Sequence, residues 1–121
     1  MTDVSRDELA ERIGEEGLAL LDVRTLGEYE GTAGYPCDER QGHIPGARHL
    51  ELHELLAADD AAAILALVGG PEGSEVIAYC HSGARSSVAV EILRSVGYEA
   101  RNYVGSWHEW SADEALPIES P

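Results

Sequence analysis

Two short runs limit the fold more than anything else in the chain: LALLDV at residues 18–23 and EVIAYC at residues 75–80. Each is apolar at odd and even positions alike, so both of its faces need cover. A strand buried between two layers of helices meets that need. The segments between them carry the complementary signal. Ser5 and Glu8 have capping-box spacing ahead of Leu9, Ala10 and Ile13, an apolar stripe that Gly14 and Gly17 close. Ala61, Ile64, Leu65 and Val68 follow Asp59 and Asp60 at helical spacing and stop at Gly69-Gly70-Pro71. Val88, Ala89, Ile92, Leu93 and Val96 mark a further helix that Gly97 ends. A short strand is expected near Ala47 to Leu50 and a last one over Arg101 to Val104. Ser106 and Glu109 repeat the capping-box spacing before Trp110. Strands alternating with helices predict an α/β domain with a mostly parallel central sheet and helices on both faces. At 121 residues, one domain spanning 1–121 is expected.

Residues 27–47 (GEYEGTAGYPCDERQGHIPGA) break the pattern, with room for one helical turn around Glu28 to Glu30. The connection is too long for a passive link in a compact domain, which favours a functional loop.

Charge narrows the function classes. The chain has 23 acidic residues against 8 basic ones, all arginine, for a formal net charge of -15. Without lysine there is no Schiff-base chemistry, no Walker-type phosphate loop and no Ser-Lys dyad. An acidic surface also argues against partnership with nucleic acid or an anionic membrane. No apolar run approaches bilayer length, and MTDVSRDELAER at the N-terminus is unlike a signal peptide, so a cytoplasmic location is expected. Cys37 and Cys80 form neither a CxxC pair nor a disulfide framework, which leaves room for a working thiol.

Cys80 is the candidate. It falls between a buried strand and a helix N-terminus, where unpaired amides and the positive end of the helix dipole favour a thiolate. Arg85 lies in the same loop and His81 adjoins the cysteine. The amides of His81, Ser82, Gly83, Ala84 and Arg85 make an array able to hold an anion over the sulfur. The plain alternative is a buried strand-end cysteine with no chemistry, since free cysteines are often buried.

The segments LLDVRTLGEYEGT, GHIPGARHLEL, YCHSGARSS and NYVGSWHEW, in that order, resemble those of rhodanese-type sulfurtransferases. The long connection before GHIPGA and the GSWHEW ending are most similar to the catalytic C-terminal half of tandem thiosulfate or mercaptopyruvate sulfurtransferases. The resemblance implies a six-residue loop from Cys80 through Arg85, and cysteine-dependent phosphatases use a loop one residue longer. It implies transfer of a sulfane sulfur from thiosulfate or a related donor, through a persulfide on Cys80, to cyanide or a thiol such as that of a thioredoxin-like protein. Arg85 would orient the anionic donor, while Asp22, Arg24 and His43 would support the surrounding loops. Neither a cofactor nor a metal is implied. CHSGAR leans to thiosulfate. Mercaptopyruvate as donor is the alternative, as is a non-turnover module that carries persulfide sulfur to, or binds, a protein partner. One departure stands out: Glu28 occupies a place where related enzymes have a substrate-binding arginine.

Other candidates carry plainer readings. His49 and His53 lie four apart but lack a third metal ligand, so a packed or solvated pair is expected. Trp107 and Trp110 serve either a pocket wall or the core. Cys37 is either a resolving thiol or a bystander.

Overall fold

The computed structural model describes residues 3–120. Its elements run α1 (Arg6–Arg12), β1 (Leu18–Asp22), α2 (Leu26–Glu30), β2 (Arg48–His49), α3 (Leu52–Ala57), α4 (Ala61–Val68), β3 (Glu75–Tyr79), α5 (Ala84–Ser95), β4 (Glu99–Asn102) and α6 (Ser106–Ala112). The sheet has the order β2-β1-β3-β4. Every pairing in it is parallel. The two apolar runs are its central strands, with Leu18 opposite Glu75 and Asp22 opposite Tyr79.

Because side chains alternate across a strand, the two faces feed different cores. Leu21, Val23, Val76, Ala78 and Cys80 pack with Leu55, Ile64, Val68, Ala89 and Leu93 from α3, α4 and α5. Leu20, Ile77 and Tyr79 pack with Leu9 from α1, Ile44, and Trp107 and Trp110 from α6. Both tryptophans are fully buried, so core packing is their role.

The last strand and the helix after β2 depart from expectation, whereas the histidine pair does not. The last strand covers Glu99–Asn102 rather than 101–104, because it pairs in register with β3 from Glu75↔Glu99 to Ala78↔Asn102. Val104 is left exposed. Helix α3 was not anticipated: of its six residues only Leu55 is buried, so no apolar stripe announces it. His49 and His53 belong to different elements, a strand and that helix, and His49 Nε2 lies 2.7 Å from the Arg24 carbonyl.

The long connection is tied down at several points. Arg40 donates to the carbonyls of Ser111, Asp113 and Leu116 at 3.0, 2.9 and 2.9 Å. The Ile44 amide donates to the Tyr79 hydroxyl. His43 and Glu119 exchange backbone hydrogen bonds at 2.8 and 2.9 Å. Among the described residues, no helix is long and apolar enough to cross a membrane.

Candidate active site

Strand β3 ends at Tyr79 and hands Cys80 to a turn that closes on Gly83. Gly83 has φ +99, and a Cβ there would lie 2.8 Å from the Val104 carbonyl oxygen, so this position demands glycine. The turn starts α5 at Ala84, a full turn earlier than the apolar stripe indicates, and makes Arg85 a residue of its first turn. The same turn aims the Gly83 amide at the sulfur, with N to Sγ at 3.1 Å. The Ser86 hydroxyl lies 3.4 Å from the sulfur and 3.3 Å from the Gly83 carbonyl. A hydroxyl has one proton to give, so ionisation of Cys80 would direct it to the sulfur.

The support beneath the loop comes from β4 and α6. Asn102 donates from Nδ2 to the Gly83 carbonyl at 3.2 Å. Ser106 has φ +56, the sole non-glycine residue among those described with positive φ. Its hydroxyl accepts from the Cys80 amide at 3.1 Å and donates to the Tyr103 carbonyl at 2.8 Å. This overturns the second capping box: Ser106 faces the cysteine backbone, and Glu109 accepts from the Tyr103 hydroxyl instead.

Cys80 itself is 1% exposed. Burial opposes its ionisation. Hydrogen bonds from the Ser86 hydroxyl and from the amides of Ser86, Gly83 and Ser82 outweigh that cost and hold the thiol below its usual value.

Arg85 differs from its expected pose. Rather than opening its fork to an anion, it closes both terminal nitrogens on Glu28, with Nη1 to Oε1 at 2.8 Å and Nη2 to Oε2 at 3.0 Å. Glu28 is buried and also completes a capping box with Thr25 at the start of α2. The ion pair raises the Arg85 pKa further. Burial of Glu28 opposes its charge, and the bonds from Arg85 and Thr25 overcome this to leave its carboxyl low. A cavity of about 240 Å³ borders Arg85, lined also by Val23, Thr25, Leu52 and His53.

His81 turns its ring toward the long connection, stacking on Tyr35 with centroids 3.8 Å apart and placing Nε2 3.0 Å from Asp38 Oδ2. Asp22 and Arg24 form a buried ion pair at 2.7 Å, from which Arg24 reaches the Gly42 carbonyl at 2.6 Å. His43 stacks on Tyr29 at 3.8 Å and lies 2.9 Å from the Tyr29 carbonyl through Nδ1. The structure therefore gathers Ser82, Gly83, Ala84 and Arg85 around Cys80, and sets Asp22, Arg24 and His43 in the frame that holds the long connection. Sequence reasoning passed over Ser86, Ser106 and Asn102. A hydroxyl in the first turn of the helix that follows a strand-end cysteine was a usable signal for Ser86; Ser106 and Asn102 had none.

The rhodanese-like domain model matches residues 5–113, the span that includes this loop and its supports. The chain belongs to the rhodanese-like domain family. Among its relatives, a thiosulfate sulfurtransferase from Pseudomonas aeruginosa is 32% identical over 123 residues, covering 95% of this chain and 45% of that protein. A crystal structure of a "Probable Thiosulfate Sulfurtransferase" superposes with a TM-score of 0.83 at 44% identity, covering 98% of this chain and 47% of the other. The human single-domain sulfurtransferase TSTD1 gives a TM-score of 0.71 at 32% identity, covering 94% of this chain and 98% of that one. The chain spans less than half the length of the curated relatives it matches.

In this rhodanese-like domain the lowered Cys80 pKa has a measurable consequence. The pH midpoint of iodoacetamide alkylation, followed in Cys37→Ser protein, is expected below the ordinary cysteine value of about 8.5. Restricted access of the reagent scales the rate at every pH alike, so the midpoint is the quantity to read. By linkage, a depressed thiol stabilises the fold above the unfolded value, and that contribution fades as pH falls through the folded one. A midpoint at or above the ordinary value would contradict the hydrogen-bond assignment.

Proposed function

We propose that the protein is a sulfurtransferase that moves a sulfane sulfur from thiosulfate to cyanide or a thiol through a persulfide on Cys80. The observation that carries this reading is the Cys80 sulfur, hydrogen-bonded by the Gly83 amide and the Ser86 hydroxyl at the head of α5. In the first step the thiolate attacks the outer sulfur of thiosulfate. A sulfur–sulfur bond forms to Cys80, the bond to the sulfonate sulfur breaks, and sulfite leaves with the electron pair. In the second, cyanide or a thiolate attacks the outer persulfide sulfur, and Cys80 departs as thiolate. The amides of His81, Ser82, Gly83, Ala84 and Arg85 stabilise the negative charge in both steps. Asp22, Arg24 and His43 act as positioning residues.

The membership of the family and the names of its relatives support sulfur transfer as the chemistry. Mass spectrometry of the intact protein tests it. Incubation with thiosulfate is expected to add one sulfur atom, cyanide to remove it, and Cys80→Ser to prevent it. Loading by mercaptopyruvate alone would reassign the donor. Loading without cyanide turnover would make the domain a sulfur carrier, with a thioredoxin-like protein among its natural acceptors. No gain from either donor would overturn the reading.

Glu28 sets how well an anionic donor is held. Its carboxylate occupies the Arg85 fork and places negative charge beside the loop. Glu28→Gln keeps an acceptor for the Thr25 cap while removing that charge. The KM for thiosulfate is expected to fall about fivefold, the equivalent of ~1 kcal/mol for one partly exposed charge contact. An unchanged or higher KM in initial-rate measurements would mean that Glu28 serves the donor site as it stands.

A further inference from the structure

Beside the Cys80 loop lies a second group of reactive side chains that sulfur transfer does not use. Cys37 and Asp38 come from the long connection, His81 from the loop itself and His108 from α6. One donor atom from each lies within 4.8 Å of all the others. Cys37 Sγ is 3.9 Å from His81 Nε2 and 3.8 Å from Asp38 Oδ1. Asp38 Oδ2 is 3.0 Å from His81 Nε2, and Oδ1 is 2.8 Å from His108 Nδ1.

We propose that Cys37, Asp38, His81 and His108 form a tetrahedral site for a borderline divalent cation of the zinc(II) class, one that clamps the long connection and α6 to the loop after Cys80. Zinc bonds of about 2.3 Å to sulfur and ~2.0–2.1 Å to nitrogen or oxygen imply tetrahedral edges of about 3.6 and 3.3 Å. The four donor atoms, one from each residue, lie within 4.8 Å of one another, so side-chain shifts of about an ångström would bring them to those edges.

An independent observation points to the ion. The Asp38 side chain is only 2% exposed, yet its Oδ2 accepts no hydrogen bond. His81 Nε2 stands 3.0 Å from it, in a contact that is an ion pair only when the ring is protonated. A buried carboxylate oxygen that accepts no hydrogen bond, set beside an imidazole nitrogen, is a position that an ion would complete. The ligands are also held in advance of binding. Stacking on Tyr35 fixes the His81 ring, and the three Arg40 bonds lock the connection against α6 and the segment that follows it.

The ligand set chooses the metal. Thiolate with two imidazoles and one carboxylate suits zinc and its neighbours, whereas calcium and magnesium prefer oxygen alone. A cavity of about 230 Å³ lined by Cys37, Asp38, Arg40 and His108 provides entry, and the His108 side chain is 57% exposed. On binding, Cys37 gives up its thiol proton to solvent, and the thiolate and carboxylate together balance the dication. No local motif marks the site, because His108 lies 70 residues from Asp38.

Cobalt(II) chloride titrated into metal-free Cys80→Ser protein tests the assignment, since the substitution leaves Cys37 as the only thiol. Saturation at one equivalent is expected, with the intense visible bands of tetrahedral cobalt and a near-ultraviolet thiolate charge-transfer band, both lost on adding one equivalent of zinc chloride. Adding Cys37→Ser is expected to abolish the charge-transfer band. His108→Ala, at an exposed position, is expected to weaken cobalt affinity at least tenfold. Absence of saturable binding, a weak octahedral spectrum, a missing charge-transfer band with Cys37 intact, or unchanged affinity in His108→Ala would each overturn the proposal. All of these readouts are independent of sulfur transfer.

Discussion

Cys80→Ser is expected to lower thiocyanate formation from thiosulfate and cyanide by about three orders of magnitude or more, a rise of at least ~4 kcal/mol in the barrier. The loss follows from what the loop is built to hold. The Gly83 amide and the Ser86 hydroxyl stabilise a sulfur anion, and a serine hydroxyl does not ionise under the same conditions. Nor can serine form the sulfur–sulfur bond that stores the transferred atom. The structural cost is small by comparison: the substitution is nearly isosteric, keeps a hydrogen-bonding atom at the head of α5, and is expected to change stability by ~1 kcal/mol. Circular dichroism and a denaturation curve separate the two effects. Cys37→Ser, in contrast, is expected to turn over at a rate close to that of the unsubstituted protein. If Cys80→Ser kept a tenth of the activity, the persulfide would have to be placed elsewhere.

What could be read in advance was whatever the chain encodes within a few residues. The two doubly apolar runs became the central strands, Gly97 closed the helix before it, and Cys80 emerged at the strand-to-helix junction. What stayed hidden depends on which distant side chains meet. Arg85 and Glu28 are 57 residues apart, and only the fold shows that the glutamate fills the arginine's fork. Ser106 matched a capping box by spacing, but its positive φ turns the hydroxyl inward to the Cys80 amide, a contact across 26 residues. Cys37 and His81 stood out singly, but no local pattern joins them to each other or to His108. The misplaced β4 has a related cause. Its bounds are set by register against β3, and EARN at residues 99–102 carries little apolar signal of its own.

The same dependence on remote partners governs stability at the end of β1, where Asp22→Ala is expected to cost about 3–5 kcal/mol. Asp22 and Arg24 are 0% and 1% exposed. The carboxylate accepts from Arg24 Nε at 3.0 and 3.1 Å, from Nη2 at 2.7 Å and from the Arg24 amide at 3.0 Å. The guanidinium also sits 5.0 Å from the Trp107 ring and 5.7 Å from that of Tyr79. Burying both ions costs several kcal/mol each, so the intact pair contributes little net stability. Removing one partner is different, because the remaining cation keeps its burial cost and loses its compensation. A domain of this size has about 5–15 kcal/mol in total, so the loss would shift the urea midpoint far down or leave the protein partly unfolded. Asp22→Leu combined with Arg24→Met removes both charges and is expected to be more stable than Asp22→Ala alone. It should not recover fully, since the Gly42 carbonyl loses its donor and the long connection loses an anchor. A cost below about 1 kcal/mol for Asp22→Ala would show that Arg24 can reach water, and the pair would then not be what holds the connection to the sheet.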